Sequence, residues 1–196
     1  MKKLIILLSF SIFVFAQNSF NVNTQSIGVN SSFFVEISLD NTSEVTAFQF
    51  DISHNESAYE LSNTSALTSR AENHTLSVST IDDNTIRVLV YSAANEVISI
   101  GDGAILNLSF NSKNEPGTYN LNLSDIVLSD ANGASLGVSS SNGSVTILGP
   151  RYNLVTSSVD FGEIPMESSP TQSVSVSNTG NQDLIISGHT LDTPFS

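Results

Sequence analysis

The chain has 196 residues, of which 6 are basic and 19 acidic, and it contains neither cysteine nor tryptophan. With a formal net charge of −13, its surface repels the phosphates of nucleic acids and anionic lipid headgroups, so neither is an expected partner. The absence of cysteine excludes disulfides and every zinc or iron–sulfur site built on thiolates.

Residues 1–16 have the pattern of a secretory signal peptide. Lys2 and Lys3 precede an apolar run from Leu4 to Ala16, and Val14 and Ala16 occupy the positions that signal peptidase prefers. The pattern predicts cleavage before Gln17 and secretion, with no membrane insertion after cleavage. A retained anchor is the alternative, but the run is shorter than the ~20 residues that a membrane span needs.

The chain after the signal consists of short segments rich in Val, Ile, Phe, Thr and Tyr, separated by Asn, Asp, Ser and Gly. These segments are residues 20–23, 33–40, 45–53, 75–80, 85–92, 104–111, 118–128 and 144–148. Such composition and spacing predict an all-β jelly-roll sandwich of about nine strands. The composition of residues 54–61 favours one helical turn.

Alternation within two of these segments predicts which side of each strand is buried. In residues 45–53, the core row is Phe48, Phe50 and Ile52, and the opposite row is Val45, Ala47, Gln49, Asp51 and Ser53. In residues 85–92, the core row is Ile86, Val88 and Val90, and the opposite row is Arg87, Leu89 and Tyr91. The opposite row of the second segment therefore carries apolar groups outward unless a loop covers them.

Gly149-Pro150 interrupts the pattern, and a new set of segments follows it. A Gly-Pro pair at this point predicts a linker between two separately packed units. Residues 150–196 contain only about three predicted strands, too few to close a core. We therefore expect them to be a fragment of a second unit that continues in a longer protein.

Residues 17–149 resemble a cohesin domain, the bacterial module that captures dockerin domains in cellulosome-type and cell-surface assemblies. The resemblance rests on residues 32–37 (SFFVEI), 45–52 (VTAFQFDI), 100–106 (IGDGAIL), 108–110 (LSF), 116–119 (PGTY) and 142–147 (NGSVTI). It implies a non-catalytic jelly roll that docks a dockerin-type partner on a flat sheet containing the third and sixth strands of the family. The partner-binding residues that it implies are Val45, Ala47, Gln49, Arg87, Leu89 and Tyr91.

Within that set, we expect Leu89 and Tyr91 to be the desolvated anchor and Gln49 and Arg87 to fix the register. Direct binding of polysaccharide is a second hypothesis, in which Tyr91 or Tyr119 stacks on sugar rings. A purely structural stalk or adhesin segment is the third.

Residues 159–165 (VDFGEIP) and 176–186 (VSNTGNQDLII) resemble the immunoglobulin-like repeat named after the abnormal spindle and hydin proteins. The resemblance implies an immunoglobulin-like β unit that spaces or presents other domains. Its Asn-Thr-Gly-Asn turn, at residues 178–181, is expected to join two strands.

Little in the sequence points to covalent or metal chemistry. His54, His74 and His189 do not have the spacing of a metal site. The acidic clusters at 82–84 and 130–133 could hold calcium, but Asp and Asn beside Gly are also typical of tight turns, which we favour. Because no nucleophile elbow, phosphate loop or paired-carboxylate motif occurs, we expect neither an enzyme nor a cofactor.

Overall fold

The structure is a computed structural model, and it describes residues 17–188. The predicted signal peptide, residues 1–16, and His189 lie outside the described residues. Within residues 17–188, none of the helical segments has the length and apolar character needed to cross a membrane.

Residues 17–148 fold into an all-β sandwich, as the alternating pattern predicts. Its strands, in chain order, are β1 (Asn18–Val22), β2 (Thr24–Gly28), β3 (Ser32–Asp40), β4 (Ala47–Ser53), β5 (Tyr59–Leu61), β6 (Ala66–Leu67), β7 (Thr75–Asp82), β8 (Thr85–Tyr91), β9 (Ala104–Ser112), β10 (Gly117–Leu121), β11 (Leu123–Ser129), β12 (Val138–Ser141) and β13 (Gly143–Leu148). A short 3-10 helix, Ser69–Ala71, precedes β7.

One layer of the sandwich is a six-stranded sheet with the order β12-β1-β3-β9-β5, in which β6 also pairs with β9. At its centre, β3 runs antiparallel to both of its neighbours, β1 and β9, whereas β1 and β12 are parallel. The two long strands, β3 and β9, pair over most of their length, from Ser32 opposite Asn111 to Ser38 opposite Ala104.

The opposite layer contains two smaller sheets, β10-β13-β2 and β11-β4-β8-β7. They meet where β10 continues into β11, because Ser53 of β4 donates its backbone N–H to the carbonyl of Asn122, at 2.9 Å. The four-stranded sheet β11-β4-β8-β7 is entirely antiparallel, and within it β4 and β8 pair without interruption from Ala47 opposite Tyr91 to Ser53 opposite Thr85.

Aromatic side chains join the two layers. The ring of Phe20 on β1 lies 5.2 Å from that of Phe48 and 5.5 Å from that of Phe50, centre to centre, and all three are buried. Phe48, Phe50 and Ile52 therefore face the core as predicted. At one end, Tyr59 packs edge-on against Tyr119 at 5.9 Å, and burial raises the pKa of Tyr59 to about 12.

Arg70 closes one end of the six-stranded sheet. It lies in the 3-10 helix. Its guanidinium group donates hydrogen bonds to carbonyls in the segment 99–103 and to residues at the end of β3. The acceptors are the carbonyls of Leu39, Ser99, Gly101 and Gly103 and the side-chain oxygen of Asn41. This side chain thus adds to the backbone hydrogen bonds by which Leu39 and Asn41 hold the segment before β9.

Two details of the predicted segments are wrong. Residues 118–128 form two strands in different sheets, because the chain crosses from one sheet to the other at Asn122. Residues 54–61 contain no helix: Asn55 caps a tight turn by accepting hydrogen bonds from Ser57 and Ala58, and Tyr59 then pairs with Ser112 in β5. The predicted strands are all present, and β2, β5, β6 and β12 are added to them.

Residues 150–188 form an open segment with little regular structure. Its two short strands, β14 (Tyr152–Leu154) and β15 (Val176–Asn178), pair with each other in antiparallel fashion. The side chains of this unit are mostly exposed, including Phe161 and Ile185. The 178–181 turn follows β15, but residues 182–188 contain no strand, so the expectation that it joins two strands is wrong for the described residues.

Candidate partner-binding face

The side of the four-stranded sheet that points away from the core is termed the outer face. Three rows of paired residues cross it from β11 to β7: Ser129, Ala47, Tyr91 and Thr75; then Val127, Gln49, Leu89 and Ser77; then Ser124, Asp51, Arg87 and Ser79. β4 and β8 pair here without a bulge, so the rows cross both strands without interruption. The structure therefore brings Ala47, Gln49, Arg87, Leu89 and Tyr91 together on one face.

The centre of the outer face is apolar. Leu89 and Tyr91 on β8 are 37% and 40% exposed, and Val127 on β11 is 50% exposed. Val127 and Leu89 flank Gln49 in the same row, so they lie about 10 Å apart, two strand spacings. Small side chains on β7, Thr75 and Ser77, continue the same rows without blocking access to the apolar centre.

An ion pair limits one end of the outer face. Arg87 donates from Nε and Nη2 to the two carboxylate oxygens of Asp51, both at 2.7 Å, and Nη2 lies 3.9 Å from an oxygen of Asp125. The hydrogen bonds from Arg87 hold the pKa of Asp51 below its ordinary value and raise that of the guanidinium. Asp51 is thus covered by Arg87 rather than simply solvated.

Asp125 is placed by an irregularity in β11. The register between β11 and β4 shifts between Ser124 and Val127, and Asp125 has a positive φ of 47°. The bulge turns the side chain of Asp125 outward, where it is 71% exposed. The acidic end of the face therefore depends on a local backbone geometry that an alternating pattern does not show.

Val45 does not belong to the outer face, and this part of the predicted site is wrong. Val45 is fully buried, and it lies before β4 begins. Its backbone N–H and carbonyl both bond to Ile98, at 3.2 and 2.7 Å, and its neighbour Thr46 is buried too. The alternation of inward and outward side chains starts only at Ala47, so counting back from Gln49 gives the wrong side.

The predicted site also lacks residues that the fold adds to the outer face. Val127, Asp125 and the small residues Thr75, Ser77 and Ser79 lie beside the predicted strands. The β7 residues had a signal in the sequence, because Thr75, Ser77 and Ser79 alternate with Leu76 and Val78. Val127 had no such signal in the sequence, because the bulge before it shifts the register of β11.

The remaining candidates have structural partners. Tyr119 donates its hydroxyl to the carbonyl of Glu115 at 3.1 Å and packs against Tyr59, which leaves its ring little free surface for stacking on a sugar. Burial lowers the pKa of His54 and His74, which disfavours the charged form of both imidazoles. In the part of the chain that the structure describes, no three His, Asp or Glu side chains could together hold a metal ion.

The two acidic clusters form turns, as the sequence favours. The carboxylate of Asp82 accepts from the backbone N–H of Asn84 at 2.8 Å. That of Asp130 accepts from the N–H groups of Asn132 and Ala134, both at 2.9 Å, and the bond from Ala134 lowers the pKa of Asp130. These carboxylates therefore stabilise the turns by accepting hydrogen bonds from backbone N–H groups.

Comparison with solved structures gives the fold. A non-cellulosomal cohesin from the archaeon Archaeoglobus fulgidus is 20% identical, with a TM-score of 0.59 over 68% of this chain and 93% of its own. The sixth cohesin of scaffoldin B from Acetivibrio cellulolyticus, solved with a Cel5 dockerin, is 18% identical, with a TM-score of 0.60 over 67% and 99%. A type I cohesin solved with a dockerin from Clostridium thermocellum is 16% identical, with a TM-score of 0.61 over 68% and 100%.

Sequence comparison places the module in a family. No curated protein is similar enough in sequence to add to the comparison. The model of the cohesin domain matches residues 19–147, which are most of the chain and almost all of the sandwich. The chain therefore belongs to the cohesin domain family.

Proposed function

We propose that this protein is a non-catalytic binding module that captures a dockerin-type domain on its outer face. The observation that carries the proposal is the group of exposed apolar side chains, Leu89, Tyr91 and Val127, on the outer face of a cohesin fold. Solved cohesins of the same fold were crystallised with dockerins, which supports a partner of this class.

The proposed division of roles follows from exposure and charge. Leu89, Tyr91 and Val127 lose the most apolar surface when a partner covers the sheet, so they supply most of the affinity. Gln49 lies between Val127 and Leu89 and offers an amide that fixes the register of the partner. Arg87 is held in place by Asp51 and forms a charged rim.

We also propose that the protein is exported by residues 1–16 and works outside the cell, at the surface of a bacterium, in assemblies that degrade polysaccharides. The leader pattern supports export, and the family supports an extracellular assembly. The archaeal relative, a non-cellulosomal cohesin, supports a wider range of assemblies than cellulosomes. Residues 150–196 are proposed to begin an immunoglobulin-like repeat that spaces the module from other domains.

The test is titration calorimetry of the protein against a panel of purified dockerin domains. Once a binder is found, Leu89→Ala and Tyr91→Ala are measured singly and together. Truncating a buried anchor at an interface costs 2 kcal/mol or more, so each substitution is expected to weaken binding by roughly 30-fold. The matched control is Phe34→Ala, which removes an exposed aromatic ring from the outer side of the six-stranded sheet.

Unchanged affinity in the double variant would remove the outer face from the proposal. Equal losses in Phe34→Ala and Tyr91→Ala would do the same, because they would point to a general loss of structure. Pull-down on insoluble polysaccharide checks the second hypothesis: retention of the protein without a dockerin, lost in Tyr91→Ala, favours direct glycan binding.

A further inference from the structure

The turn at residues 178–181 packs against the segment by which the chain leaves the sandwich. The side-chain amide of Asn181 donates from Nδ2 to the carbonyl of Ile147 and accepts at Oδ1 from the N–H of Gly149, both at 2.9 Å. It thus satisfies one carbonyl and one N–H at the end of β13, as a neighbouring strand does. The backbone N–H of Asn181 also donates to the carbonyl of Gly149 at 3.1 Å.

The other side of the linker is held in a similar way. The N–H of Arg151 donates to the side-chain oxygen of Asn178 at 3.1 Å, and the N–H of Thr179 donates to the carbonyl of Arg151 at 2.7 Å. The guanidinium of Arg151 pairs with the carboxylate of Glu115 at 2.8 Å, in the loop between β9 and β10. Backbone groups on both sides of Pro150 are therefore occupied.

The close approach of the turn to the linker requires glycine at position 180. A Cβ atom there would lie 2.4 Å from the carbonyl oxygen of Gly149 and 2.5 Å from the backbone nitrogen of Arg151. Both atoms belong to the backbone, so they cannot move aside as the end of a flexible side chain can. The requirement comes from contact across the junction.

We propose that the 178–181 turn locks the junction, so that the sandwich and the start of the second unit move as one body and the outer face keeps a fixed direction relative to the chain that follows. A Gly-Pro linker alone would act as a hinge, because few contacts cross such a linker. Here, the five hydrogen bonds and the one ion pair named above restrict motion at the linker. The inference does not depend on which partner the outer face binds.

Amide ¹⁵N relaxation of the whole protein tests the proposal. We expect order parameters of about 0.85 at residues 149, 151 and 152, the value of rigid backbone, and a fall below about 0.6 in Gly180→Ala and Asn181→Ala. Asn181→Asp keeps the acceptor for Gly149 but loses the donor to Ile147, so an intermediate value is expected. The matched control is Gly188→Ala, because a Cβ at Gly188 meets nothing within 4 Å.

Order parameters below about 0.6 at the junction of the unaltered protein would overturn the lock, as would unchanged values in both Asn181→Ala and Gly180→Ala. The order parameters of β13 serve as the internal reference for an intact sandwich. If Gly180→Ala changes the order parameters of β13, the test of the proposal rests on Asn181→Ala, because that substitution removes hydrogen bonds without introducing a clash. A fall in Gly188→Ala equal to that in Asn181→Ala would also contradict the proposal.

Discussion

Replacing Arg70 with methionine keeps much of the length of the side chain and removes all five of its hydrogen bonds. The bonds join the 3-10 helix to residues 39–41 and 99–103, about 30 residues away on either side in sequence. The expected result is a loss of stability without a change of fold.

The expected loss of stability depends on whether each acceptor keeps another hydrogen-bond donor when Arg70 is replaced. The carbonyl of Gly101 still accepts from the N–H of Asn41 at 2.9 Å, and that of Gly103 from the N–H of Leu39 at 3.0 Å. Because these carbonyls are not left without a donor, each lost bond costs near the lower limit of about 0.5 kcal/mol. Five such bonds give about 2 to 3 kcal/mol, or about 8 to 12 °C in melting temperature for a domain of this size.

Urea unfolding followed by tyrosine fluorescence and far-UV circular dichroism measures this loss. The lysine ammonium is a compact point charge and lacks the planar arrangement of donors of a guanidinium group. Arg70→Lys should therefore recover less than half of the stability that Arg70→Met loses. The matched control is Lys113→Met, which removes an exposed cation with one carbonyl bond, to Glu56, and a loose ion pair. A loss below about 1 kcal/mol in Arg70→Met, or one equal to that in Lys113→Met, would refute the reasoning.

Three further predictions concern the sandwich. Arg87 lowers the pKa of Asp51 below its ordinary 3.8. The Asp51 carboxylate therefore contributes stability above that pH, and this contribution is lost as the pH falls through the lower pKa of the folded state. In urea titrations, the difference in stability between the protein and Asp51→Asn should close between about pH 5 and pH 2, and a constant difference would contradict this. Phe20→Ala should cost about 3 to 5 kcal/mol in the same assay, whereas a loss under 1 kcal/mol would mean that the two layers do not meet through this ring. In Gly143→Ala, the new Cβ would lie 2.2 Å from a backbone carbonyl oxygen, so we expect poor soluble yield and a lower melting temperature, and normal yield and melting would contradict the packing.

Local alternation predicted most of the fold, because a period of two survives wherever a strand has one buried face. Phe48, Phe50 and Ile52 were assigned to the core on this basis, and Leu89 and Tyr91 to the opposite side, where the structure leaves them exposed. The same rule failed at Val45, where two successive residues are buried and the strand has not yet begun. Parity is informative only inside a regular strand.

Features that depend on distant parts of the chain could not be predicted. The acceptors of Arg70 are about 30 residues away, and nothing next to Arg70 marks it as more than a surface cation. The crossing at Asn122 lacks the glycine or proline that usually marks a break, and its cause is a bond to Ser53, 69 residues earlier. Val127 joined the outer face only because a bulge reset the register of β11.

The parallel pairs in the two layers of the sandwich bear on how the module folds. β1 and β2, the first two strands of the module, pair with β12 and β13, and Thr24 contacts Ser144 across 120 residues. Neither sheet can complete its hydrogen bonds until nearly the whole module has left the ribosome, and closing so long a loop is slow. A nascent chain of this topology stays open for a long interval, which exposes unfinished strand edges to aggregation in the meantime.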